Sequence, residues 1–273
     1  MITAENVQVS FRGASGGESV PAVDGVSLTV PDQGTVGLVG PNGSGKTTLL
    51  RALYGAVGLT GGRVLLDGED LSDVRRRDVA RTVAVVAQER DVSSAGMPMT
   101  VAELAMLGRL PHRGRFGTGG SMDQLIVEGS LDAVGMTALA TRDLSALSGG
   151  ERQRALIARA LVQQARHVLL DEPTNHLDVR YQHEILELVS GLPGSVVVLH
   201  DLNLAARYCD ELVVMDHGKV VAHGSPDAVL TPEVLEPVYG RAVTRVDVDG
   251  EITLVFPRRT ERAVTSRRGC TRR

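Results

Sequence analysis

The stretch GPNGSGKT, residues 40–47, limits what this 273-residue chain can fold into more than any other part of it. An apolar run at 36–39 precedes it and reads as a short buried strand. The sequence TTLLRAL follows and reads as a helix from about Lys46. The spacing GxxxxGK[ST] between a strand and a helix predicts a phosphate-binding loop. Gly40, Gly43 and Gly45 allow successive backbone N–H groups to point into one concavity, and the helix N-terminus adds positive potential. Pro41, Asn42 and Ser44 complete the loop, and Thr48 follows it. Lys46 is expected to reach the β- and γ-phosphates of a nucleotide, and the Thr47 hydroxyl to complete the shell of a Mg²⁺ ion.

The basic residues single out position 46. Of 29 lysines and arginines, only Lys46 and Lys219 are lysine. Arginine presents a planar fork, whereas lysine is a compact point charge on a flexible stem, so position 46 calls for lysine chemistry specifically.

A nucleotide site of this kind needs an acid at a strand end to hold the metal. HVLLDEP supplies it: residues 168–170 read as a buried strand, and Asp171 ends it. Asp171 is expected to bind Mg²⁺ through water, since this small ion dehydrates reluctantly. Glu172 stands where a carboxylate can take a proton from an attacking water. A second glycine-rich stretch, LSGGERQR, reads locally as a helix start. Ser148 suits the N-cap and Glu151, three residues on, completes a capping box. Taken alone it is only a cap, and its two glycines, Gly149 and Gly150, have no local reason.

In order and spacing, GPNGSGKTT, LSGGERQR, LLDEPTNHLD and VVVLHDLN resemble the ATP-binding subunit of ABC transporters, over nearly the whole chain. That resemblance implies an α/β P-loop NTPase core with an antiparallel β subdomain and an inserted α-helical subdomain. It implies one domain over 1–256, with the helical insert at about 89–145; beyond it, 257–273 carries seven arginines and one acid and reads as a basic, disordered tail. It also implies a head-to-tail homodimer, in which Ser148, Gly149, Gly150 and Glu151 meet the γ-phosphate held by the partner's loop. The exposed glycines would then serve a ligand arriving from another chain. By position, Gln88 matches the glutamine that touches Mg²⁺ and the attacking water. Asp178 matches the loop at the dimer interface, and His200 the histidine that contacts the γ-phosphate and holds Glu172. Phe11 stands where the family has an aromatic on adenine, with a glycine-rich insertion directly after it.

The other histidines, at 112, 167, 176, 183, 217 and 223, share no ligand spacing and read as surface or packing residues. Cys209 reads as inert packing in a helix, and neither it nor Cys270 has zinc spacing. A net charge of −4 and a pI near 6.0 give no pull towards nucleic acid. The opening MITAENVQVSF lacks the regions of a signal peptide, and the apolar runs fall short of the roughly 18 residues of a membrane helix. The chain is therefore expected in the cytosol, and the resemblance implies a peripheral place on the cytoplasmic face of the membrane. It implies an integral-membrane permease as the direct partner and a substrate-binding protein as an indirect one. The segments VAELAMLGRLPH and VLHDLNLAARYCDELVVMDHGKVVAHG resemble ATPases of importers for ferric siderophores, haem and cobalamin. Ferric siderophores are the favoured cargo, haem or cobalamin the close alternatives, and a soluble ABC ATPase without a permease the more distant one.

Overall fold

Two antiparallel strands, β1 (Ile2–Arg12) and β2 (Ser19–Val30), open the fold, followed by β3 (Gly34–Val39) and α1 (Lys46–Leu53). The computed structural model describes residues 1–12, 19–87, 99–113, 120–175 and 177–257. Next come β4 (Gly61–Leu66), β5 (Glu69–Asp70), α2 (Arg76–Thr82) and β6 (Val83–Val86). A helical stretch then holds α3 (Val101–Met106), α4 (Ser121–Ala133) and the start of α5 (Gly149–Val162). The chain continues through β7 (His167–Asp171), α6 (Val179–Ser190), β8 (Gly194–Val198), α7 (Leu202–Tyr208), β9 (Glu211–Asp216) and β10 (Lys219–Gly224). It closes with α8 (Pro226–Val229), α9 (Pro232–Tyr239), β11 (Thr244–Val248) and β12 (Glu251–Val255).

The six-stranded sheet has the order β10-β9-β3-β8-β7-β6. Its pairings are parallel except for β10 on β9. Strands covered on both faces read as unbroken apolar runs, and every residue of β7 and β8 is buried. Successive side chains point to opposite faces. Leu169, Val196, Val198 and Val213 therefore join one core with Leu49, Leu50 and Leu53 of α1 and the buried face of β1 and β2. Val168, Leu170, Val197 and Val214 join the other, with α3, α4, α5 and α6.

The four-stranded sheet, β2-β1-β4-β5, sits over α1. In β1 the buried positions step from Ile2 and Ala4 to Val7 and Val9, which breaks strict alternation. Asn6, with φ 50°, absorbs the extra residue in a bulge between Ala4 and Val7, so both halves of the strand face the same core.

Cys209 lies one residue beyond α7, with extended backbone, rather than within the helix. A Cβ on Gly37 of β3 would come within 2.7 Å of its sulfur, so the glycine is what admits this turn against the sheet. Burial pushes the Cys209 thiol up to about 12, as packing rather than reactive chemistry requires. The apolar run SVVVLH, which leads to His200, is strand only in part: β8 stops at Val198. Asp201 then caps α7, accepting from the amides of Asn203 (2.8 Å) and Leu204 (3.2 Å). Asp249 and Gly250, with φ 53° and 84°, form the two-residue turn between β11 and β12. The arginine-rich segment 258–273 lies outside the described residues.

Candidate nucleotide site

The loop between β3 and α1 owes its path to two glycines. Gly40 (φ 143°) and Gly45 (φ 99°) adopt backbone closed to other residues, and a Cβ on either would lie 2.1 or 2.2 Å from the carbonyl oxygens of Met215 and Ala22. Gly43 (φ 81°) instead faces open space. Gly45 is also the N-cap of α1 and supplies no side-chain cap, which leaves the first helical amides for a ligand.

Lys46 is 5% exposed. Its ammonium donates to the carbonyls of Gly40 (2.8 Å) and Pro41 (2.9 Å) and stands 3.5 Å from Ser44 Oγ. Burial holds its pKa below the usual lysine range, against the opposing pull of Glu172 and Asp171. A cation desolvated in a loop of backbone amides fits a phosphate group. The Thr47 hydroxyl donates to Asp171 Oδ1 across 3.0 Å, although the two are 124 residues apart. These are two hard oxygen donors at the end of the parallel sheet. Magnesium takes one or two carboxylates together with substrate phosphates, so the pair fits that ion. Among the described residues no group of three or more histidines, cysteines and acids could hold a metal on its own.

Glu172 follows β7 with φ 54°, a left-handed backbone that costs an ordinary residue on the order of 1 kcal/mol. In the parallel register Asp171 lies opposite Val198, so Glu172 and His200 emerge side by side from neighbouring strands. His200 Nε2 lies 2.6 Å from Glu172 Oε1, and a carboxylate can only accept, which puts the proton on Nε2. The other carboxylate oxygen accepts from Asn175 Nδ2 at 2.5 Å. Asn175 is a residue that sequence reading passed over. Its signal was the spacing of three from Glu172, the reach of a tight turn.

Ser148 and Glu151 form the expected capping box. Ser148 Oγ accepts from the Glu151 amide (3.3 Å), and the Glu151 carboxylate accepts from the Ser148 amide (2.8 Å). These two residues, with Gly149, Gly150 and Arg154, form one wall of a groove of about 540 Å³; Leu177, Asp178 and Tyr181 form the other. Lys46, Thr47, Asp171 and Glu172 are not among its lining residues, so one chain carries two distinct surfaces. Arg154, a second residue that sequence reading missed, stacks its guanidinium 4.1 Å from the Tyr181 ring and joins α5 to α6.

Phe11 is half exposed and pairs with Val20, two residues along β2 from the Ala22 carbonyl that abuts Gly45. Gln88 and His176 lie outside the described residues. His167 is fully buried with its Nε2 3.1 Å from Asp32. His112 meets the Gln163 carbonyl (2.7 Å), His183 the Tyr208 hydroxyl (2.6 Å) and His223 the Glu211 carboxylate (2.9 Å). His217 is exposed.

Known proteins resemble this chain in sequence and fold. The profile of the ABC transporter family matches residues 23–175. The cobalamin import ATP-binding protein BtuD of Halobacterium salinarum is 43% identical over 249 residues, which span 88% of this chain but only 61% of that protein. The ferric enterobactin transport ATP-binding protein FepC of Escherichia coli K12 is 39% identical, over 82% of this chain and 83% of its own. A bacterial ABC transporter cassette solved as a dimer superposes with a TM-score of 0.73 at 25% identity, covering 83% of this chain and 99% of that one. The chain therefore belongs to the ABC transporter family, and its fold is that family's ATPase cassette.

Proposed function

We propose that the protein hydrolyses ATP at sites shared between two copies of itself and thereby powers an importer. The observation that carries this reading is the pairing at the sheet's end, where Thr47 meets Asp171 at 3.0 Å and Glu172 meets His200 at 2.6 Å. The loop amides and Lys46 bind and orient the triphosphate. Thr47 and Asp171, with Gln88 on the strength of the resemblance, would hold a Mg²⁺ ion, which would supply positive charge against the phosphates. Glu172 takes the proton of the attacking water, and His200 keeps its carboxylate aimed. Ser148, Gly149 and Gly150 present a hydroxyl, backbone amides and a helix N-terminus to the γ-phosphate held by the partner.

The permease contact belongs to a groove of about 1040 Å³. The end of α1, β4, α2 and β6 form one side, and Leu107, Gly108, Leu110 and Pro111 with Arg159 and Gln163 the other. Its apolar walls, from Leu59, Leu71, Val79, Leu107 and Leu110, suit a short amphipathic helix. No helix among the described residues is long and apolar enough to cross a membrane, which agrees with a peripheral subunit held by a permease.

The cargo we favour is a ferric siderophore, supported by the likeness to the enterobactin transport protein. Cobalamin or haem is the second reading, favoured by the higher identity to the cobalamin import protein. A strain lacking the protein should fail to grow on iron supplied only as a siderophore complex. Normal growth there, with loss of haem or cobalamin use, would transfer the assignment to that cargo. Purification from membranes should bring a multi-helix permease with it; recovery with ribosomes or nucleic acid instead would remove the transport role.

A further inference from the structure

The Glu172 carboxylate is held at both ends. His200 takes Oε1, and the side-chain amide of Asn175 takes Oε2 at 2.5 Å. The same two residues are also joined through backbone, with the Asn175 N–H donating to the Glu172 carbonyl at 3.2 Å. This double closure forms a tight turn around a glutamate whose own backbone is left-handed. The turn runs into the loop that carries Asp178, which caps α6 by accepting from the Tyr181 amide at 3.1 Å and lines the groove beside Ser148 and Gly150. Asn175 is exposed, so its bond to Glu172 is not a by-product of core packing.

We infer that Asn175 is a positioning residue for hydrolysis, fixing the plane of the Glu172 carboxylate and tying it to the loop that carries Asp178. With one donor on each oxygen, the carboxylate cannot rotate about its terminal bond, yet each oxygen keeps a second lone pair for the attacking water. The histidine alone fixes one oxygen and leaves that rotation open. This inference rests on the reading of Glu172 as the general base.

The test is steady-state ATPase kinetics on the full chain with two substitutions. Asn175→Ala removes the donor and should lower kcat about tenfold, the loss expected for one hydrogen bond to a charged group, with KM for ATP unchanged. Asn175→Asp keeps the shape but sets a second carboxylate against Glu172. It should be slower than Asn175→Ala by roughly another tenfold. A merely structural role would give the opposite order, because the isosteric change disturbs packing least. Wild-type kcat in Asn175→Ala, a change confined to KM, or Asn175→Asp matching wild type would each overturn the inference. Failure of the underlying reading looks different: Glu172→Gln would itself then turn over at the wild-type rate.

Discussion

His200 Nε2 stands 2.6 Å from Glu172 Oε1, and the two residues leave adjacent parallel strands 28 positions apart in the chain. The register of β7 on β8, not any local motif, makes them neighbours. Glu172→Gln keeps the shape and this contact but cannot accept a proton. Its turnover should fall by about 10²–10⁴-fold while ATP binding persists, measured by phosphate release and by equilibrium nucleotide binding. Turnover at the wild-type rate would remove Glu172 from its role.

Lys46→Ala should lose ATP affinity by about tenfold or more, because it removes the buried cation held against the loop carbonyls. Titration with a fluorescent ATP analogue reads this directly. Unchanged affinity would argue against the phosphate-loop assignment.

Gly150→Asp should bind ATP almost normally and be inactive, because a carboxylate would meet the partner's γ-phosphate. Mixed with Lys46→Ala, it can form heterodimers with one intact and one doubly damaged site. Random pairing restores about a quarter of wild-type activity if the sites act independently. Normal hydrolysis by Gly150→Asp alone, at a specific activity independent of protein concentration, would reduce Ser148–Gly150 to a helix cap.

Two loop glycines should respond differently to alanine. At Gly45 the new Cβ meets the Ala22 carbonyl at 2.2 Å and the backbone is left-handed, whereas at Gly43 the Cβ enters open space and only the backbone objects. Gly43→Ala should therefore cost about 1 kcal/mol and Gly45→Ala clearly more, read as the order of their melting temperatures. Equal losses would contradict the close approach of β2 to the loop.

His167 ties stability to pH. Burial holds its pKa below the usual histidine value, so the unfolded chain binds the proton more readily. Its contribution is present above about pH 6.5 and is lost as the pH falls towards the lowered folded-state value. The limiting slope for one such group is about 1.4 kcal/mol per pH unit. Between pH 7 and 5 the stability of His167→Gln, from urea unfolding, should change less than that of wild type. An equal change would place the acid sensitivity elsewhere.

Much of the candidate site was legible because it is local. The phosphate loop announces itself through glycines in left-handed backbone that side chains disfavour, and the Ser148–Glu151 box closes within one helical turn. The acids at 171 and 172 follow a strand that is apolar throughout because both its faces are covered. Resemblance then linked His200, Gln88 and Asp178 to that frame, although the described residues do not include Gln88. The capping box also shows where local reading stops, since its two hydrogen bonds would serve a plain helix cap equally well.

What only the tertiary structure decided were relations across long stretches of chain. Thr47 and Asp171 meet over 124 residues because β3 and β7 both flank β8, an order that depends on which strands find each other's edges. Asn175 needed more than its spacing: its amide reaches Oε2 where Glu172 takes left-handed backbone after β7. The same holds for Cys209, whose place just beyond α7 depends on the missing side chain of Gly37 on a distant strand. Local chemistry determines which groups a segment offers. Only packing, which sums weak contacts between distant segments, determines which of those groups come within a hydrogen bond of one another.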